Sequence, residues 1–220
     1  MTAFARIGIF LIALLGSGAP VLSAPQSDPL AITSLDASPL LRRMVNLNPT
    51  LKTYKATIHL DVALKSFVPL NPSLDGNIFF KQPDKEAVVF DTVPSLASQF
   101  KKVYPRVDAP ANWLRLYDVS QLSDDGTSTV FRLVPKKNGR IEHLDVKADD
   151  ANATIKEYTW TYKDGGFVTF AQTFETISGN LLPEKQTGHV ELPSYKADVT
   201  SVFSNYQLNV QIADSVFDEK

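Results

Sequence analysis

The sequence contains no cysteine among its 220 residues. This absence excludes disulfide bonds, cysteine nucleophiles, thiolate metal sites and lipid attachment at an N-terminal cysteine. Neither sign of charge is in large excess, since 22 basic and 24 acidic residues give a formal net charge of -2. The chain therefore has no basic excess to hold nucleic-acid phosphates, and we expect no nucleic-acid partner.

Long apolar runs are absent except near the N-terminus. Residues 7–15 read IGIFLIALL, Arg6 is the only charge before them, and small residues occupy positions 16–19. The run suits the core of a secretory signal and is shorter than the ~20 residues of a membrane-spanning helix. We predict a signal peptide over residues 1–23, with an uncleaved anchor or a buried helix as the alternative. Export without cysteine favours a periplasmic or extracellular location, with no transmembrane segment after signal removal.

The rest of the chain has the length of one domain. We predict a flexible leader over residues 24–37, a binding domain over residues 38–212 and a tail over residues 213–220. Ser38 suits the N-cap of a helix and Pro39 its first position, while Asn48-Pro49 ends it.

From Tyr54 the apolar period changes from 3.6 to 2, which indicates a strand with one apolar and one polar face. Turn residues then separate further strands, predicted over residues 77–81, 87–91, 116–122, 128–134, 140–148, 154–162, 167–176, 185–192 and 196–209. The series of strands is interrupted after residue 91. There we predict a short amphipathic helix over residues 94–103, followed by a loop to Ala111. The predicted fold class is mainly β.

Sequence patterns that would indicate a catalytic, metal-binding or cofactor-binding site are weak. His59, His143 and His189 have no metal-ligand spacing. The acidic pairs at positions 124–125 and 149–150 suit turns better than a catalytic cleft. No phosphate-binding loop, nucleophile elbow or dinucleotide fingerprint is present. We therefore expect no enzyme, no metal site and no cofactor.

Aromatic residues fall mostly in the predicted strands. A single large curved sheet has more apolar inner surface than two short helices can fill. Either the sheet folds into a sandwich with an ordinary core, or it encloses an apolar ligand.

Three segments carry a family resemblance. Tyr54 opens the first strand after the helix, residues 76–85 read GNIFFKQPDK, and residues 131–136 read FRLVPK. In this order and spacing the sequence resembles the LolA/LppX-like family of exported lipoprotein- and lipid-binding proteins, which includes LolB and RseB types. The sequence departs from that pattern near Glu86-Ala87, where the carriers place an arginine, and in the segment from Val93 to Trp113.

The resemblance implies an unclosed antiparallel half-barrel of about eleven strands, covered by helices, with an apolar cavity for acyl chains. Alternation predicts a ligand-binding concave face, subject to a one-residue slip. That face comprises Tyr54, Ala56, Ile58, Leu60, Val62, Ile78, Phe80, Val88, Phe90, Phe131 and Leu133. The predicted lid comprises Leu40, Leu41, Met44, Leu96, Phe100 and Val103, although residues 94–103 equally suit a surface helix that completes the core.

Two functions follow from the resemblance. The first is an extracytoplasmic carrier or sensor for a lipid or lipoprotein acyl chain. The alternative is a regulatory module of the RseB type that contacts an envelope protein, which an exposed Trp113 would favour.

Overall fold

A computed structural model describes residues 29–65, 71–91, 107–193 and 195–218. Two α-helices are described, α1 (Pro39–Val45) and α2 (Pro110–Leu116). The strands are β1 (Leu30–Ile32), β2 (Thr53–Lys65), β3 (Ser73–Lys81), β4 (Lys85–Phe90), β5 (Tyr117–Asp124), β6 (Ser128–Pro135), β7 (Ile141–Asp149), β8 (Thr154–Tyr162), β9 (Phe167–Ile177), β10 (Asn180–Leu192) and β11 (Tyr195–Leu208).

The eleven strands form one sheet in the order β1-β5-β6-β7-β8-β9-β10-β11-β2-β3-β4. Every pairing between neighbours is antiparallel. Strands β1 and β4 lie at the two edges and do not pair with each other, so the sheet is an unclosed half-barrel. The predicted fold class and strand number are confirmed.

Strand β2 sets the two faces of the sheet. Tyr54, Ala56 and Ile58 are buried, whereas the residues between them are only partly buried. We call the face that carries these three residues the inner face and the opposite one the outer face. Strand β2 lies between β3 and β11, and direct pairs such as Ala56 with Ile78 extend the inner face across neighbouring strands.

Helix α1 begins as its sequence predicts. Ser38 is the N-cap, its Oγ accepts a hydrogen bond of 3.2 Å from the Leu41 backbone N–H, and Pro39 follows at the first helical position. Leu41 and Met44 are buried against the core. The helix ends at Val45, ahead of the predicted stop at Asn48-Pro49.

The structure differs from the sequence predictions in two described segments. The predicted flexible leader contains strand β1, which pairs with β5, and a 3-10 turn at Leu35–Ala37. A strand of three residues is too short to show an apolar alternation in the sequence. Strand β1 could not be predicted because it depends on its pairing with β5, which is a tertiary contact. Helix α2 replaces a predicted loop and strand start, because Pro110 suits a first helical turn and Trp113 anchors the segment in the core. The helix predicted over residues 94–103 and the signal peptide lie outside the described residues.

Gly188 on β10 allows close packing over the inner face. A Cβ at this position would lie 2.4 Å from Cε1 of Phe170, a ring that is 1% exposed and stacks on Tyr158 at 5.4 Å between centroids. We expect Gly188→Ala to lower the free energy of unfolding by about 1–3 kcal/mol in urea denaturation, because the buried ring must shift.

Gly139→Ala is the matched control for Gly188→Ala. A Cβ at Gly139 meets no heavy atom within 4 Å, so its effect should stay below about 0.5 kcal/mol. Equal stability of the two variants would contradict the packing described at Phe170.

In the part of the chain that is described, none of the helices combines the length and apolar character needed to cross a bilayer.

Candidate ligand-binding face

The inner face carries two apolar clusters. The first cluster lies beneath α1 and α2, which place Leu41 and Trp113 fully buried against it. It also contains buried residues of β5 to β10, among them Phe131, Leu144 and Val168. The C-terminal part of β2 contributes Leu60 and Val62. The ring of Trp113 meets Phe131 edge-on at 6.0 Å. This half of the inner face is a covered hydrophobic core.

The second cluster lies at the N-terminal end of β2. Its buried members are Leu51, Tyr54, Ala56, Ile58, Ile78, Leu182 and Phe203. Partly buried Phe80, Phe90 and Tyr206 pack against them. The Tyr54 ring stacks on Phe80 at 5.1 Å and meets Tyr206 edge-on at 5.4 Å. Aromatic rings therefore remain partly accessible at this end of the inner face.

The predicted concave residues lie on the inner face. Eight of them are buried: Tyr54, Ala56, Ile58, Leu60, Val62, Ile78, Phe131 and Leu133. Phe80 and Phe90 are partly buried. Val88 pairs with Ile78 and is 36% exposed, because it belongs to the edge strand β4. Ligand contact by these residues remains a prediction.

A row of three polar side chains lies between the two clusters. Gln172, Gln186 and Ser201 occupy paired positions on β9, β10 and β11. The Gln186 Nε2 donates to Gln172 Oε1 at 2.7 Å, and the Gln172 Nε2 donates to the Ile155 carbonyl oxygen at 2.5 Å. We call this set the polar row. An apolar ligand that spans both clusters must cross it.

Two tyrosine hydroxyls on this side of the sheet are held protonated. Burial raises the pKa of Tyr206, the carboxylates of Glu175 and Glu86 raise it further, and the hydroxyl donates to the Pro183 carbonyl oxygen at 2.5 Å. Burial and a 2.6 Å hydrogen bond to Asp108 likewise raise the pKa of Tyr117. These groups are structural hydrogen-bond donors and are not suited to exchange protons near neutral pH.

The outer face carries a group of charged side chains around His59. His59 Nδ1 lies 2.7 Å from Asp75 Oδ1, and this hydrogen bond raises the pKa of His59. Ser73 Oγ lies 3.2 Å from His59 Nε2 but donates its own hydrogen bond to Asp61. The side chains of His59 and Asp75 are 45% and 68% exposed, so water has free access. This arrangement lacks the water-excluded setting in which a serine nucleophile is activated.

The other polar candidates have structural contacts. Asp125 accepts hydrogen bonds from the backbone N–H groups of Thr127 and Ser128, and Asp149 accepts one from Ala151 N–H, as predicted for turn residues. Within the described residues, no group of three or more His, Asp or Glu side chains is placed to hold a metal ion. A shallow depression near His189 is lined mainly by outer-face residues such as Thr169 and Thr187, on the side opposite the predicted site.

Of the predicted lid, the structure describes only the residues of helix α1. Leu41 and Met44 are buried and Leu40 partly buried, all against the first cluster. Leu96, Phe100 and Val103 lie outside the described residues. Trp113 is fully buried, so the exposed aromatic residue that would favour an interaction module is not present at that position.

Sequence analysis missed several aromatic residues of the inner face. Tyr158 and Trp160 on β8 alternate at period 2, which is a signal that could have placed them there. Tyr206 follows an irregularity in the β11–β2 pairing between Ser204 and Gln207, so alternation alone assigns it to the wrong face.

No family model and no curated protein matches the sequence. Solved structures match by fold. A DUF1329 family protein from Desulfovibrio piger aligns with a TM-score of 0.61 and 14% identity, over 81% of this chain and 94% of that one. A LolA superfamily protein from Nitrosomonas europaea aligns with a TM-score of 0.52 and 15% identity, over 86% of this chain and 99% of that one.

The chain has a LolA-like fold. A domain assigned to outer membrane lipoprotein sorting, from Vibrio parahaemolyticus, adds a TM-score of 0.55 at 11% identity, over 76% of this chain and 89% of that one. The family resemblance in the sequence is thus confirmed at the level of the fold. At these identities the LolA-like fold is what the comparisons establish.

Proposed function

We propose that the protein is an extracytoplasmic carrier or sensor that binds a lipid or lipoprotein acyl chain on the inner face of its sheet. The observation that supports this most directly is the second cluster. There an otherwise buried apolar face ends in the partly accessible rings of Phe80, Phe90 and Tyr206. The sheet is unclosed next to these rings, since Phe90 belongs to the edge strand β4.

The driving force is the burial of apolar surface. Each square ångström removed from water contributes roughly 25 cal/mol, so covering two or three partly exposed rings with an acyl chain supplies about 2–4 kcal/mol. Such contact needs no charged group in the ligand. It therefore suits hydrocarbon chains better than polar metabolites.

The comparisons support the same class of function without identifying a ligand. One similar structure is a LolA superfamily protein and another is assigned to outer membrane lipoprotein sorting. Transfer of a lipid-related role to this chain is part of the proposal. The alternative of a regulatory module rests on the same resemblance, and the exposed Trp113 that would have favoured it is buried.

Two adjacent phenylalanines provide a matched test. Phe80 lies on the inner face in the second cluster, whereas Phe79 pairs with Lys55 on the outer face, with the Lys55 ammonium 5.8 Å from its ring centroid. Both side chains are partly buried. We expect Phe80→Gln to weaken binding of a fluorescent fatty-acid probe by about tenfold, because a ring contact worth ~1.4 kcal/mol is lost.

Phe79→Gln should change probe affinity by less than about twofold, since the outer face does not contact the ligand. Thermal melting of both variants checks that each remains folded. The proposal would be contradicted by a folded wild-type protein that binds no probe, or by equal loss of affinity in the two variants.

A further inference from the structure

One buried hydrogen-bond donor of the inner face has no partner. Trp160 on β8 is 3% exposed, and its Nε1 has no hydrogen-bond acceptor among the residues that the structure describes. Buried indole N–H groups usually find an acceptor, and leaving one unpaired costs free energy. An orphaned donor at this depth points to a missing acceptor, such as a bound ligand or a buried water.

The other tryptophan of the chain has a hydrogen-bonded indole N–H. Trp113 is fully buried, and its Nε1 donates to the Asp108 carbonyl oxygen at 2.7 Å. The sequence has only these two tryptophans. The unpaired N–H is therefore particular to Trp160 and is not a general property of tryptophan in this fold.

The surroundings of Trp160 are apolar. Its direct neighbours on the inner face are Leu144 on β7 and Val168 on β9, and all three belong to the first cluster. No acceptor on the described parts of these strands bonds to the indole N–H. Because indole Nε1 is a donor only, a matching ligand must bring an acceptor oxygen.

Trp160 also lies near one rim of the sheet, because β8 ends two residues later at Tyr162. The polar row lies four residues away along the paired strand β9, at about 13 Å for a rise of ~3.3 Å per residue. An acyl chain whose carbonyl is held at Trp160 can therefore leave its polar end at this rim. Its hydrocarbon part would enter the first cluster beneath α1 and α2 and cross the polar row to reach the second cluster.

We propose that the Trp160 indole N–H is the polar anchor of the ligand site and donates a hydrogen bond to the carbonyl oxygen of an acyl ester or acyl amide. This inference rests on the proposed function and specifies the chemical class of ligand. An uncharged carbonyl satisfies the donor without placing a charge in an apolar cluster, whereas an ionised carboxylate would have to be desolvated there. A pure hydrocarbon leaves the N–H unpaired.

The test uses isotope labelling of the two indole N–H groups and NMR of the full-length mature protein. Methyl laurate and a straight-chain alkane of matched length are the probes. We expect methyl laurate to move the Trp160 indole N–H resonance downfield, while the alkane does not and the Trp113 resonance stays in place with both. Trp160→Phe, which removes the donor and retains an aromatic ring, should abolish an ester-over-alkane preference of about tenfold.

Trp113→Phe is the control, since it removes an N–H that is already bonded within the protein and should retain the ester preference. Equal responses of Trp160 to ester and alkane, or an ester preference that survives in Trp160→Phe, would overturn the inference while leaving the proposed function standing. Binding of neither probe by the wild-type protein would contradict the proposed function itself. A diacyl phospholipid and a synthetic N-acylated lipopeptide, compared by the same resonance, distinguish the two sources of an acyl carbonyl.

Discussion

Replacing Ile58 with aspartate is expected to prevent stable folding or to lower the free energy of unfolding by several kcal/mol. Ile58 is 2% exposed and lies on β2 between Gly76 on β3 and Phe203 on β11. An aspartate at this position would carry its charge into the second cluster, whose members are apolar. Urea denaturation of the purified variant measures the loss.

Thr57→Asp is the matched control for Ile58→Asp. Thr57 is the preceding residue of β2, occupies the outer face and is only partly buried, so a carboxylate there stays hydrated. Its effect should remain below about 1 kcal/mol. If Ile58→Asp were as stable as Thr57→Asp, the assignment of the two faces of β2 would be incorrect.

Truncating Trp113 to alanine is the second change with a large expected effect. The side chain is fully buried, meets Phe131 edge-on and joins α2 to the first cluster. We expect a loss of about 3–5 kcal/mol in the free energy of unfolding, as for other buried large aromatic residues. Chemical denaturation followed by circular dichroism measures this value.

Trp113→Phe separates packing from hydrogen bonding at the same position. This variant keeps an aromatic ring and loses the hydrogen bond to the Asp108 carbonyl, so about 1–2 kcal/mol should be lost. A Trp113→Ala variant with wild-type stability would show that α2 does not cover the core.

The strands were predictable where one face of the strand is buried and the other is exposed to solvent. The alternation from Tyr54 onwards located β2, and turn residues located most later strands within a few residues of their ends. The helix start at Ser38-Pro39 was also predictable, because a capping hydroxyl and a first-turn proline are local features. The eleven-strand half-barrel itself came from the family resemblance.

Features that depend on tertiary contacts escaped the sequence analysis. Strand β1 exists through its pairing with β5, and α2 is stabilised by the burial of Trp113. Phe203 and Tyr206 are three residues apart, yet both belong to the second cluster, because the β11–β2 register shifts between them and Asn205 adopts a φ of 55°. Strict alternation cannot predict such a shift.

The candidate site was therefore located in part. Alternation placed Tyr54 and Phe80 on the face that now carries the second cluster. It did not identify Trp160, because an unpaired N–H is a property of the folded surroundings and not of the residue type.

Native mass spectrometry of the protein purified from its own host without detergent tests the central claim most directly. The claim is that the inner face holds a hydrophobic ligand outside the cytoplasm. We predict a population of the mature chain whose mass exceeds that of the polypeptide by the mass of a lipid, and whose excess mass disappears after organic extraction. A protein found only at its polypeptide mass, which also fails to bind a fluorescent fatty-acid probe, would contradict the claim.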